Sequence, residues 1–358
     1  MTQKIVQIVP RLPPNTDGVG DYSLRLAEQL LKDHHIETHF IVFQKGIETQ
    51  PNINGFSAIG LTKHNQSSLF AALPDNFAGI ILHYSNYPYI QGKFDTPFWL
   101  VQSLKSIWKL HTIKLVVMYH ELPMLKWKKI NVLNPIQSIV SKQLASIADT
   151  VLTDSAKFQK QLSQWLKRSI KCIPDFATIG EPDHVPFLAE RKRRMIIFGS
   201  SDRFRVYQNS LRNLLRCCQT LEIEEICDIG KPLNLRDAYS FPDINLVEMG
   251  FQPSELVGSL MLDSVAGCLD YTRFPGDLGK SSVFAAFCAY GLVPFCTQYN
   301  PSEADGIEIN KHYLTINKLL PTLNLEQLQI IANNANQWYN YHNLENNTKI
   351  FAQSILTN

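Results

Sequence analysis

The chain has 358 residues, with 34 basic against 32 acidic side chains and a net charge of +2. At 45% hydrophobic and 18% charged residues it is globular rather than disordered, and long enough for two ordinary domains. The near-balanced charge carries no broad electrostatic footprint for nucleic acid, so no nucleic-acid partner is expected.

Met1-Thr-Gln-Lys-Ile-Val leads straight into a strand and lacks the apolar core of a signal peptide. No apolar run is long enough to cross a bilayer, although peripheral attachment at the inner face of a membrane needs none. Seven cysteines, an odd number without a CxxC, fit a reduced, cytoplasmic protein with thiols in its core. The histidines show no HExxH and no Cys/His pair spacing, so no metal site is expected.

In chain order, Ile5–Pro10 is a short apolar run followed by Pro and Gly. Residues Asp21–Lys32 read as a helix, with Leu24, Ala27, Leu30 and Leu31 on one face and Glu28–Lys32 as an i,i+4 pair. Thr38–Phe43, Gly79–His83 and Lys114–Tyr119 are further strands; a helix from about Pro135 then precedes a strand at Ala148–Thr153. Near-continuous apolar runs between turn signals are the pattern of buried parallel strands. Their alternation with helices predicts doubly wound α/β sheets.

Residues 174 to 192 change character, with Pro174, Pro182 and Pro186 before the basic run Arg191-Lys-Arg-Arg194. The segment reads as an interdomain linker and the basic run as its solvated edge, with a polyanion or membrane-surface contact as the alternative. The pattern restarts with Arg194–Gly199, a helix over Tyr207–Thr220, and strands at Ile226–Gly230, Ile244–Met249, Ser264–Asp270 and Leu292–Cys296. The last stretch, Leu325–Leu356, is helical with a break around 336 to 343.

Two glycine loops stand at strand ends: Pro13–Asp21, and Pro275–Ser282 with its Gly279-Lys-Ser-Ser. Each leads into a helix whose N-terminus carries partial positive charge and free amides, which suits a phosphate group. Lys280, Ser281 and Ser282 would add an ammonium and two hydroxyls; a plain helix cap is the structural alternative. A P-loop would need glycine where Phe274 stands, so P-loop chemistry is disfavoured. Tyr84, Tyr87 and Tyr89 either line an acceptor groove or pack in a half-buried loop.

Five stretches in this order resemble the family 4-like, retaining glycosyltransferases of GT-B architecture. Pro14–Ala27 is similar to that family's glycine-rich opening, Tyr119-His120-Glu121 to its H-D/E, and Ala148–Ser155 to its A-D-x-V strand. Phe198-Gly199 through Arg205 is similar to its G-R-L-x-x-x-K, and Met249–Glu255 to its x-G-x-v-x-x-x-E. The resemblance covers nearly the whole chain. It implies two Rossmann-like domains facing across a cleft: residues 1–180 on the acceptor side, residues 181–337 on the donor side, and a C-terminal helix over about 338–358 packing back on the first.

The implied activity moves a sugar from a nucleotide-diphosphate sugar to a hydroxyl of a glycan or lipid-linked acceptor, with retention, as in polysaccharide biosynthesis. The nucleotide sugar is a substrate, and no cofactor is expected. His120, Arg205 and Lys280 are the catalytic candidates. Gly18, Gly20, Gly199, Arg203, Phe251, Asp277, Gly279, Ser281 and Ser282 are the donor-binding candidates, and Asp21, Tyr84 and Glu121 stand on the acceptor side. The chain departs from the family at its E-x7-E pair, where Leu278 and Ala286 stand, and at the G-R arginine, which is Ser200. These departures leave a non-catalytic binding or scaffold protein as the alternative; a nucleotide-sugar epimerase of GT-B build is a third, less favoured reading.

Overall fold

The computed structural model describes residues 3–14, 17–43, 52–85, 88–90, 97–123, 134–298, 301, 306–317 and 323–356. The chain divides into two units, Met1–Pro174 with Leu344–Asn358, and Asp175–Asn343.

The first unit begins with β1 (Gln3–Val9), α1 (Gly18–His34), β2 (Ile36–Val42), β3 (Ser57–Gly60) and α2 (Gln66–Ala71). It continues with β4 (Gly79–Tyr84), α3 (Phe98–His111), β5 (Lys114–Tyr119), α4 (Asn134–Ile147), β6 (Thr150–Thr153), α5 (Ala156–Leu166) and β7 (Lys171–Cys172). The strands form one parallel sheet in the order β3-β2-β1-β4-β5-β6-β7. The order reverses between β1 and β4, the switch point at which ligands of such sheets bind. Ile5, Val6, Ile8 and Val9 are all fully buried, which is why β1 reads as an apolar run broken only at Gln7.

Helix α1 starts three residues before the amphipathic stripe because Asp17 caps it, its Oδ1 accepting the Val19 N–H at 3.0 Å. Such a cap is worth about 1 kcal/mol. Gly20 allows α1 to approach the loop after β1: a Cβ there would lie 2.6 Å from the Arg11 carbonyl oxygen.

The second unit begins with β8 (Lys192–Phe198), α6 (Phe204–Thr220), β9 (Glu225–Ile229), α7 (Leu235–Ala238), β10 (Asn245–Gly250) and α8 (Ser254–Leu262). Then come β11 (Ser264–Leu269), α9 (Ser282–Ala289), β12 (Val293–Cys296), β13 (Leu314–Thr315) and α10 (Leu325–Asn340). Its parallel sheet runs β10-β9-β8-β11-β12-β13, reversing between β8 and β11. The final helix, α11 (Leu344–Leu356), belongs to the first unit, where Tyr22 of α1 hydrogen-bonds Asn347 and packs edge-on against Phe351. The interruption expected near 336 to 343 is the short stretch between α10 and α11.

The doubly wound α/β class holds in both units. Eight of the described elements have no counterpart in the sequence reading: β3, α2, α3, α5, β7, α7, α8 and β13. The basic run also departs from it. Lys192, Arg193 and Arg194 belong to β8, and Arg191 is interior, donating to the carbonyls of Pro186, Ser264 and Tyr290. Burial lowers its guanidinium to about 10. Six of the seven thiols are buried and all are free. Among the described residues no helix is long and apolar enough to cross a membrane.

Candidate functional site

At the switch point of the second sheet, the carboxyl ends of β8 and β11 open into a pocket. Its wall includes Phe198, Ser200, Asp202, Arg203, Arg205, Asp270, Tyr271, Arg273, Phe274 and Ser281. Gly199 makes the turn out of β8 at φ +125°, which a side chain would strain, and a Cβ there would press on Val283 at 3.1 Å. The chain then coils through Ser201–Arg203 into α6. On the other side, Ser281 caps α9 by accepting the Phe284 N–H at 3.2 Å, so the N-terminus of α9 forms part of the wall.

Three arginines reach this wall with different freedom. Arg203 is buried and committed: its Nε and Nη2 donate to Asp228 at 2.6 to 3.1 Å, and its remaining N–H groups donate to the carbonyls of Gly199, Ser200 and Lys231. Tyr207 donates its hydroxyl to the same carboxylate at 2.8 Å. Arg203 therefore braces the wall and brings no spare charge to a ligand. Arg205 and Arg273 are more exposed and share Asp202, at 3.7 and 2.5 Å. Asp270, at the end of β11, is held by Thr272 and Thr297 at 2.7 and 2.6 Å. Two exposed cations on one shared anion can be drawn onto an incoming phosphate, and arginine forks match phosphate oxygens in pairs.

Lys280 is not part of this wall. Its Nζ sits 5.6 Å from the centroid of the Phe274 ring, and Phe274 lines the pocket. Asp277 and Gly279 are buried in the loop before α9, where the Gly279 carbonyl accepts the Asp175 N–H at 2.8 Å. Ser282 is the first residue of α9. Phe251 follows β10 at the sheet edge, 63% exposed and apart from the pocket wall. Leu278 and Ala286, which replace the glutamate pair, are fully buried. Both positions face the core, where an unpaired carboxylate would be costly.

The first unit gathers a second cluster at its own switch point. His120 and Glu121 follow β5, and both backbone N–H groups donate to the Tyr84 carbonyl. Ser85 donates to Glu121 Oε2 at 2.6 Å. The His120 ring is edge-on to Tyr22 of α1, with centroids 5.1 Å apart. Asp21, in the first turn of α1, has its carboxyl raised to about 6, by burial first and by the neighbouring Asp17 second. A carboxyl titrating near neutrality at a strand-end loop is suited to proton transfer.

Two expectations are corrected here. Tyr84 does not line a groove: it is fully buried, stacked on Tyr89 and in reach of Ser141 Oγ at 3.4 Å, and burial raises its phenol to about 12. Tyr89 is likewise buried and donates to the His83 carbonyl, and Tyr87 lies outside the described residues. Gly20 serves the contact between α1 and the Arg11 backbone, whereas a Cβ at Gly18 would meet nothing within 4 Å.

Several residues of these clusters escaped the sequence reading: Asp202, Asp270 and Arg273 in the second unit, and in the first Asp154 and His83, each 3.1 Å from the His120 ring, with Gln7 2.8 Å from His83. Gln7 and His83 are polar residues inside otherwise apolar strands, and Asp270 closes an apolar strand. Those breaks in pattern were the available signal.

No known protein-family profile and no curated protein matches this chain. Solved structures do. An alpha-glucosyltransferase (AGT) in complex with UDP is similar with a TM-score of 0.57 at 11% identity, over 95% of this chain and 96% of that one. WaaG, a glycosyltransferase involved in lipopolysaccharide biosynthesis, is similar with a TM-score of 0.56 at 10% identity, over 99% of this chain and 100% of that one. The UDP-GlcNAc 2-epimerase from Neisseria meningitidis bound to UDP-GlcNAc reaches 0.60 at 10% identity, over 99% and 100%.

The fold is GT-B.

The GT-B likeness runs through both units, since nearly all of each chain is covered in every case. Transferases and an epimerase share it, so the GT-B fold does not by itself choose between their reactions. Some AGT structures also contain DNA, which is a property of that protein.

Proposed function

We propose that the chain is a nucleotide-sugar-dependent glycosyltransferase, taking its donor as a nucleoside diphosphate sugar in the second unit. The observation that carries this reading is the pair Arg205 and Arg273 on the shared Asp202, beside the N-terminus of α9, at the switch point of the sheet. A departing diphosphate would gain two arginine forks, and placed cations of this kind are often the largest electrostatic contribution to catalysis. The acceptor is a hydroxyl of a glycan or lipid-linked sugar, and Asp21 and Glu121 are the candidate carboxyl groups for its activation. Transfer with retention follows the family resemblance.

An epimerase acting on the sugar of the same donor is the second reading, since a UDP-GlcNAc 2-epimerase shares the fold. Loss of both family glutamates, at Leu278 and Ala286, supports a third reading: a GT-B protein that binds without turnover.

The test is a thermal-shift panel with UDP, GDP, ADP and their common sugar conjugates. A ligand at a hundred times its dissociation constant adds about 2.7 kcal/mol to the stability of the unit it binds. Selective stabilisation by one nucleotide is expected. The stabilising sugar conjugate is then incubated without acceptor and with candidate glycans. A changed sugar in the unused donor identifies an epimerase, a new glycoside identifies a transferase, and binding without either identifies a non-catalytic protein. A flat panel overturns the donor assignment.

A further inference from the structure

The densest basic run of the chain does not make its most basic surface. Lys192, Arg193 and Arg194 are each paired with an acid, Asp263, Glu222 and Glu225 in turn, and Arg191 is interior. A different concentration of cations lies on the helical layer of the first unit.

The topology of the sheet builds that layer. The crossovers β4-α3-β5, β5-α4-β6 and β6-α5-β7 all step the same way across the sheet, whereas β1-α1-β2 steps the other way. Right-handed connections therefore pack α3, α4 and α5 side by side on one face and set α1 on the opposite face, where α11 joins it. None of α3, α4 and α5 contains an aspartate or a glutamate. Their exposed charges are Lys105 and Lys109 of α3, Lys142 of α4, Lys157 and Lys160 of α5, and Lys167 at its end. Among the described residues, Lys105, Lys109, Lys142, Lys160 and Lys167 make no ion pair.

The acids of the neighbouring segments stand at the rims of this layer. Asp75 and Asp149 lie in the turns that lead into β4 and β6, and Asp149 accepts the Leu115 N–H at 2.8 Å. Glu121 and Asp154 follow the other ends of β5 and β6, and Asp154 is buried. The opposite layer is mixed: α1 and α11 carry Asp21, Glu28, Asp33 and Glu345 beside Arg25, Lys32 and Lys349. The near-even charge of the whole chain therefore hides one face of a single sign.

Large apolar side chains stand exposed among these lysines. Trp108 lies between Lys105 and Lys109 on α3, and Ile136 and Ile139 lead to Lys142 along the outer side of α4. Lysine stems with isoleucine and tryptophan between them suit the surface of an anionic bilayer. The ammonium groups reach headgroup phosphates on flexible stems, the isoleucines enter the edge of the acyl region, and an indole favours the headgroup level. A nucleic acid would give Ile136 and Ile139 nothing apolar to bury, and its phosphates are matched better by arginine forks than by lysines.

We propose that the outer surface of α3, α4 and α5 docks on the anionic headgroups of a lipid bilayer. The inference does not rest on the transferase reading, and neither donor nor acceptor enters its test.

The experiment is co-sedimentation of the full-length protein with vesicles of phosphatidylcholine, with and without added phosphatidylglycerol. Binding is expected only to the anionic vesicles. It should fall as salt rises, because the Debye length shrinks from about 10 Å at 0.1 M to about 3 Å at 1 M. Lys105→Gln, Lys109→Gln and Lys142→Gln should each lower the partition coefficient about fivefold, and together about a hundredfold. Lys32→Gln with Lys349→Gln, on the opposite layer, should leave it unchanged. Ile136→Ser with Ile139→Ser should weaken binding while keeping its salt dependence. Melting temperatures check that each variant is folded; if the triple variant melts early, the three single replacements read the same surface. Failure to sediment with anionic vesicles at low salt overturns the proposal, as does an equal loss in the two lysine sets. An isoleucine variant that binds like the parent, in a protein that prefers a DNA duplex to the vesicles, assigns the face to nucleic acid and overturns it too.

Discussion

Arg273 Nη1 lies 2.5 Å from Asp202 Oδ2, and the other oxygen of that carboxylate is 3.7 Å from Arg205 Nε. One anion thus holds two cations on the wall of the second unit's pocket. It also competes with any phosphate that those cations would bind.

Asp202→Asn should therefore tighten nucleoside diphosphate binding, by about 1 kcal/mol, the scale of an exposed ion pair. Arg205→Ala should weaken it by about 1.5–3 kcal/mol, the range for hydrogen bonds to charged groups. Lys280→Ala should have the smaller effect, since Lys280 does not line the pocket. Isothermal titration calorimetry at low salt measures all three. Full-strength binding by Arg205→Ala would remove this pocket from the donor site.

The Arg203–Asp228 pair is a support and not a ligand contact. Asp228→Asn leaves a buried guanidinium without its counter-charge and should cost about 3–5 kcal/mol of unfolding free energy. Urea denaturation checks this. A double replacement by apolar residues of similar volume should recover much of the loss, because the burial cost of both charges disappears together.

Asp21 makes stability depend on pH. Its carboxyl is raised from 3.8 to about 6 in the folded chain, so the unfolded chain loses its proton first as pH rises. Folding stability therefore falls between those two values, and the loss is complete above about 6. Asp21→Asn does not ionise and should gain stability over the parent at mildly alkaline pH but not at pH about 4. Its partial exposure limits the gain to about 1 kcal/mol. Melting curves of both proteins at the two pH values test it. An equal difference at both would mean that Asp21 is not desolvated.

Gly20→Ala places a methyl against the Arg11 carbonyl and should cost about 1–3 kcal/mol, as overpacked sites do. Chemical denaturation reads the loss directly. Gly18→Ala is its control, because a methyl there meets nothing within 4 Å.

Much of the fold was legible in the strands. Ile5–Val9, Leu115–Tyr119 and Ser264–Leu269 are buried on both faces, and continuous burial leaves a mostly apolar run that no local context can disguise. The helix starts were less legible. The apolar stripe of α1 begins only after Asp21, yet Asp17 caps the helix and draws Gly18 into its first turn. α3 was missed although its Leu100, Val101, Leu104 and Ile107 face the core.

The candidate site divides in the same way. Arg205 and Ser281 line the pocket, and Gly199 makes the turn out of β8 at a positive φ. Arg203 and Tyr84 have the right residue types in the right segments, yet both are spent on internal partners. Side-chain type says what a group can bind; its neighbours decide whether it is free to do so.

Periodicity, turn residues and the order of short motifs are local properties, and they determined by themselves that two α/β sheets of parallel strands would form. The meeting of Arg273 with Asp202, and of Asp154 with His120, His83 and Gln7, was decided only by tertiary structure. Those partners lie 34 to 76 positions apart in one case and 71 in the other. A parallel sheet sets adjacent strands side by side whatever the length of the crossover between them, so such contacts leave no spacing in the sequence to be read.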